Sequence, residues 1–170
     1  ATGITQPEPG NNPLGFRVSN TVQHARIQRQ APYVGTGARI KAQDRMTALE
    51  SLLATFRNAA VSEREKGTYF EELILAYLRN EATYKDLYSR VWTWAEWAPA
   101  NGFTAKDDGI DLVAEEAGTG AIHAIQCKFY DPDYRLQKKD IDSFFTASGR
   151  KPFAHRVIVA STDHWSEHAE

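Results

Sequence analysis

The 170-residue chain is short of several residue types, and each shortage removes a class of protein. It has one cysteine, Cys127, so no internal disulfide framework and no zinc-binding cysteine cluster is available. No apolar run approaches the ~18 residues that span a bilayer. The N-terminus also lacks a charged-then-apolar secretory signal. A cytoplasmic protein without membrane contact is the expectation. No GxxxxGK[ST] loop is present to cradle ATP, and His164 and His168, four residues apart, have no HExxH pattern around them. They read as a solvated pair.

Positive charge is scarce where a DNA binder would want it. The net charge of −2 is uneven. Residues 1–45 hold six Lys/Arg against Glu8 and Asp44, net +4, which leaves −6 on residues 46–170. A −6 domain does not grip DNA tightly by itself. Residues 1–45 are rich in Gly, Pro, Asn, Gln and Thr without an apolar period, and read as a flexible basic arm. The only methionine, Met46, opens the organised part, so the arm is a candidate for sequence upstream of the natural start.

What is present is enough for a core: 42% hydrophobic residues and 11% aromatic. Met46–Ala60 reads as a helix, with capping-box spacing from Thr47 to Glu50. Ser62–Asn80 reads as a second, interrupted near Gly67. Its Phe70, Leu73, Ile74, Tyr77 and Leu78 form an apolar stripe. At ~100° per residue, Glu71 falls on the edge of that stripe and Glu72 nearly opposite. Val91–Trp97 reads as a strand, with Trp92 and Trp94 on one side and Trp97 on the other; Pro99–Phe103 reads as a turn. Leu136–Ser148 reads as a helix, Val157–Ala160 as a buried strand and Thr162–Glu170 as a further helix. Lys138 and Lys139, near the start of the first of these, stand where they could clamp a phosphate.

The chemistry lies between Gly109 and Tyr130. Ile110–Glu115 and Ala121–Tyr130 read as two strands around a glycine-containing turn. Alternation puts Ile125, Cys127 and Phe129 on an apolar face and Ala124, Gln126 and Lys128 on the other. Asp111 lies on the face opposite Ile110 and Leu112. Paired, the strands bring an acid, an amide and an amine to one patch. A hard cation such as Mg²⁺ takes a few protein oxygens and keeps several waters. Asp111 offers a carboxylate oxygen, Gln126 its amide oxygen and Cys127 its backbone carbonyl. Lys128 would position or deprotonate a water, or neutralise charge on a phosphate. Asp107 and Asp108 could add to a metal site, though a turn role explains them. Cys127, on the apolar face, reads as a buried inert thiol.

The pattern GIDLVA…AIQCKF resembles the active-site hairpin of the PD-(D/E)XK nuclease superfamily, in its Mrr-like GID…QxK form. With VWTWAEWA before it, KKDIDSFFTASGR after it and HRVIVASTDHWSEHAE at the end, residues 46–170 are similar to the N-terminal nuclease domain of type ISP restriction–modification enzymes. The resemblance implies an α/β fold, with a central mixed sheet of about four strands flanked by helices. It implies Mg²⁺-dependent cleavage of double-stranded DNA, and for Glu71 a role as metal-water or lysine-orienting acid. It also implies a larger polypeptide, of which this is a fragment. Helicase-like, methyltransferase and target-recognition domains would use ATP and S-adenosylmethionine outside this chain. The alternative is an inactive nuclease-like module for DNA binding or domain packing.

Overall fold

The computed structural model describes residues 16–17, 23–27, 48–106 and 109–169. The apolar stripe of the helix expected over Ser62–Asn80 forms as its spacing predicts. Helix α2 (Glu63–Asn80) starts at Ser62, whose side chain accepts from the Glu65 N–H, and buries Phe70, Ile74, Tyr77 and Leu78. It runs through Gly67 unbroken. Helix α1 (Ala48–Ala59) packs on it through Leu53, with Leu49 and Phe56 partly buried. The short helix α3 (Ala82–Leu87) adds Tyr84 to the same core.

Strand β3 (Tyr88–Thr93) is followed directly by helix α4 (Trp94–Ala100). This corrects the strand expected over Val91–Trp97. Thr93 Oγ1 accepts from the Glu96 N–H at 3.2 Å, and Glu96 Oε2 accepts from the Thr93 N–H at 2.8 Å. That capping box stabilises a helix start in the middle of the aromatic run. Trp94 and Trp97 consequently bury in one cluster rather than on opposite sides. The turn also moves on, to Asn101 and Gly102, where Gly102 takes φ 79°.

Strands β4 (Leu112–Glu116) and β5 (Ile122–Lys128) form the expected antiparallel hairpin, in register Leu112↔Ile125 to Glu115↔Ile122. Strand β6 (Phe153–Ala160) pairs parallel to β5, and β3 antiparallel to β4. The parallel step needs a crossover. It is made by a 3₁₀ turn (Lys138–Asp140) and helix α5 (Asp142–Ser148), two pieces instead of one helix over Leu136–Ser148. The Asp140 carboxylate accepts from the Gln137 N–H and the Tyr134 hydroxyl, both at 2.8 Å, which ties the first turn to the preceding loop.

The helix expected over Thr162–Glu170 does not form across the described residues 162–169. Their backbone is claimed by Leu136 instead. Leu136 donates to the His164 carbonyl and accepts from the Ser166 N–H, each at 2.9 Å. Thr162 Oγ1 donates to the Tyr134 carbonyl at 2.8 Å.

Among the described residues the sheet order is β1-β2-β6-β5-β4-β3. Strands β3 to β6 are the mixed four-stranded core. Strands β1 (Phe16–Arg17) and β2 (Gln23–Ile27) fall inside the stretch expected as an arm, and β2 pairs parallel to β6. An edge strand offers unpaired N–H and C=O groups, and β2 takes those of β6. The rest of residues 1–45 lies outside the described residues, as do Met46, Thr47, Asp107 and Asp108. Helices α1, α2 and α3 cover one face of the sheet over Leu112, Ile125 and Val159; α4, α5 and Trp165 cover the other over Val113, Ala124 and Ile158. No helix among the described residues is long and apolar enough to cross a membrane.

Candidate active site

Asp111 and Gln126, two of the candidate site residues, lie where β4 and β5 part. The ladder's last regular pair is Leu112↔Ile125, and the Asp111 N–H still reaches the Ile125 carbonyl at 3.0 Å. Beyond it the Cys127 N–H has lost its strand partner. The Asp111 side chain replaces that partner, with Oδ2 accepting from the Cys127 N–H at 2.6 Å. The carboxylate is therefore pinned to the backbone between Gln126 and Lys128. A charge-assisted bond of this kind is short and directional.

Gln126 is 2% exposed. Its Nε2 donates to the Gly109 carbonyl at 2.9 Å, which sets the amide's orientation. The other end, Oε1, is buried with no hydrogen-bond partner. An orphaned buried acceptor is costly, and it is the kind of atom a cation would satisfy. Gly109 has φ 84°, a left-handed conformation, and a Cβ there would lie 2.9 Å from Ser143 Oγ and 3.2 Å from the Phe144 nitrogen. Helix α5 thus closes against the loop that holds the glutamine. Sequence reasoning did not single out Gly109 for this; the available signal was a glycine at a strand entrance. It also placed Ile110 and Leu112 on one face. They bury on opposite faces.

Glu71 is half-buried and Glu72 exposed, as the helical spacing predicts. Helix α2 lies over the face that carries Cys127. Burial pushes the Cys127 thiol well above its usual range, the Asp111 and Glu71 carboxylates push it further, and the Lys128 ammonium opposes them. Three charged groups from α2, β5 and the approach to β4 therefore act on one point. The thiol stays protonated at neutral pH, an inert group and a poor metal ligand. Among the described residues no three His, Cys, Asp or Glu side chains form a metal-holding group. The oxygen donors of Asp111, Gln126 and the Cys127 carbonyl are instead the hard, sparse set that suits Mg²⁺.

Lys138 and Lys139 stand apart, exposed on the 3₁₀ turn, with Lys138 Nζ paired to Asp142 Oδ1 at 2.6 Å. Their turn leads into α5, whose Ser143 abuts Gly109.

A family model, Mrr_cat_2, described as restriction endonuclease, matches residues 79–170. The chain belongs to that restriction endonuclease family. The match spans β3 to β6, so it contains the hairpin and the crossover that seat Asp111, Gln126 and Lys128. Among solved structures, this restriction endonuclease domain is similar to the ATP-dependent type ISP restriction–modification enzyme LlaBIII bound to DNA. The identity is 36%, the TM-score 0.53, and 68% of this chain is covered. The domain corresponds to 7% of that much longer chain. No curated protein matches. The PD-(D/E)XK-like fold and the type ISP resemblance read from the hairpin and its flanks agree with both findings.

Proposed function

We propose that this domain is a Mg²⁺-dependent DNA endonuclease that hydrolyses phosphodiester bonds, with its site at the parting of β4 and β5. One observation carries the reading: a carboxylate fixed on the Cys127 N–H, and on the adjacent residue Gln126 a buried amide oxygen that has no protein partner. Asp111, Gln126 and the Cys127 carbonyl would hold the cation. In an antiparallel strand the N–H and C=O of one residue turn to the same side, so that carbonyl faces the Asp111 side chain. When bound, the cation supplies Lewis-acid stabilisation of the charge that builds on the phosphate.

The chain's own groups do the rest. Lys128, at the end of β5, presents an ammonium to the phosphate or the attacking water. Glu71, from the edge of α2, orients that ammonium or takes a proton from the water. Cys127 keeps its proton and contributes only backbone. Lys138 and Lys139 serve as outer phosphate contacts.

The likeness to an ATP-dependent type ISP enzyme supports placing this domain within a larger machine. Helicase-like translocation with ATP, methylation with S-adenosylmethionine and target recognition then belong to other domains of that polypeptide. The −6 balance of residues 46–170 supports the same division of labour.

The test uses the enzyme that contains this domain. Asp111→Ala and Lys128→Ala should each lower Mg²⁺-dependent cutting of DNA by about 10²-fold or more, with ATP hydrolysis and melting temperature near those of the parent. EDTA should stop cutting by the parent. Normal cutting by both variants would sink the proposal. A parent that never cuts would favour the inactive module.

A further inference from the structure

A cleft of about 110 Å³ opens beside the end of β5, immediately past Lys128. Arg57 of α1 and Lys66 of α2 supply its cations, Phe129, Tyr130 and Tyr134 its rings, and the carboxylates of Glu63 and Asp131, each paired to one of those cations, complete the lining. We infer that this cleft holds a phosphate of the same DNA strand, adjacent to the one that is cut. The inference rests on the nuclease reading of Lys128 given above.

The cleft is built in advance. Arg57 Nη2 donates to the Tyr130 carbonyl at 2.9 Å, and the guanidinium lies 4.7 Å from the centre of the Phe129 ring. Phe129 in turn stacks on buried Phe70, centroids 5.1 Å apart. Tyr130 and Tyr134 stack on each other at 4.2 Å and form an apolar wall. A guanidinium has five N–H donors in a fixed plane, a match for phosphate oxygens. One nitrogen serves the carbonyl here, and the ion pair to Asp131 is long, 3.8 Å, to a side chain 85% exposed. Lys66 is paired with Glu63 at 2.6 Å, but the Glu63 side chain is also 85% exposed. Pairs of this kind are weak and exchange readily, so a phosphate can take over both cations.

Distance supports the assignment. Tyr130 follows Lys128 by two residues, at most about 7 Å of backbone. Phosphates on one strand recur every ~3.4 Å along a duplex axis, so the cleft is within a nucleotide or two of the cut. The tyrosine wall would pack against the sugar of that nucleotide.

Binding of a labelled short duplex by the enzyme that contains this domain, measured by fluorescence anisotropy in EDTA over a range of salt, tests this without any cutting. Arg57→Ala and Lys66→Gln should each raise Kd about tenfold at low salt. Each should flatten the plot of log K against log salt by roughly one unit. Arg57→Lys keeps the charge and should retain the slope. A purely structural Arg57 would move the melting temperature and leave the slope alone. If Arg57→Ala does not fold, Lys66→Gln, whose side chain holds no backbone group, decides. Parental slopes in both variants of that enzyme overturn the inference. Cutting by Lys128→Ala in the larger enzyme separates the two readings. If Lys128→Ala fails to cut while both cleft variants bind as the parent does, only the cleft assignment falls. If Lys128→Ala and Asp111→Ala both cut normally, the nuclease reading falls and takes the cleft assignment with it.

Discussion

Gln126 and His123 sit on one strand, and each buries a polar atom without a partner: Oε1 of the glutamine and Nε2 of the histidine. Their surroundings give them different fates. Gln126 lies at the end of the hairpin where β4 and β5 part, anchored by its Nε2 to the Gly109 carbonyl. His123, 3% exposed, is packed between Tyr88, whose hydroxyl lies 3.2 Å from Nδ1, and the His155 ring at 4.5 Å. Burial first, and the neighbouring His155 second, lower its pKa to about 4, against a smaller opposing pull from Glu116. In the unfolded chain the imidazole takes its proton near 6.5. Between those values the unfolded state binds more protons, so this group's contribution to stability is full above about pH 6.5 and is lost as pH falls towards 4. The melting temperature should therefore drop by several degrees across that window, at roughly 2–4 °C per kcal/mol. His123→Phe should flatten the profile there; a variant curve parallel to the parent's would show that the histidine is not responsible.

At the scale of elements, the site depends on a strand that stops early and a helix that closes on its approach. β4 begins at Leu112, so the Cys127 N–H passes to the Asp111 carboxylate. α5 then presses Ser143 and Phe144 against Gly109, the residue whose carbonyl holds Gln126. Gly109→Ala meets two penalties, a side chain at φ 84° and a Cβ overlapping the start of α5. A loss of about 1–3 kcal/mol is expected, read as a lower melting temperature, together with weakened cutting as the Gln126 anchor shifts. An alanine variant that melts and cuts like the parent would show that the loop is not under this constraint. The elements themselves were partly legible. α2 and the hairpin announce their periods, and the Thr93–Glu96 box was present to be read where an aromatic strand was expected instead. The broken helix over Leu136–Ser148 was not legible, because Tyr134 and Asp140 meet through the fold of a loop.

For the molecule as a whole, the two packed faces and the four strands β3 to β6 use residues from 49 onward. Strands β1 and β2 only extend the β6 edge. Deleting residues 1–45 should thus leave a cooperative unfolding transition, with circular dichroism showing a melting temperature within several degrees of the parent's. A broad, non-cooperative melt would mean that β2 is integral to the domain. By itself the sequence determined the α/β character, the buried stripe of α2, the half-buried setting of Glu71 and the hairpin with its D…QxK spacing. Each of these is written in residues a few positions apart, where periodicity and turn chemistry act. Only the tertiary structure decided that residues 162–169 surrender a helix to pair with Leu136, and that Asp111 spends an oxygen on the Cys127 N–H. It also decided that Arg57 lies over Phe129 beside the site. Those outcomes are competitions for backbone hydrogen bonds and ring faces between segments far apart in the chain, and no local pattern states which segment wins.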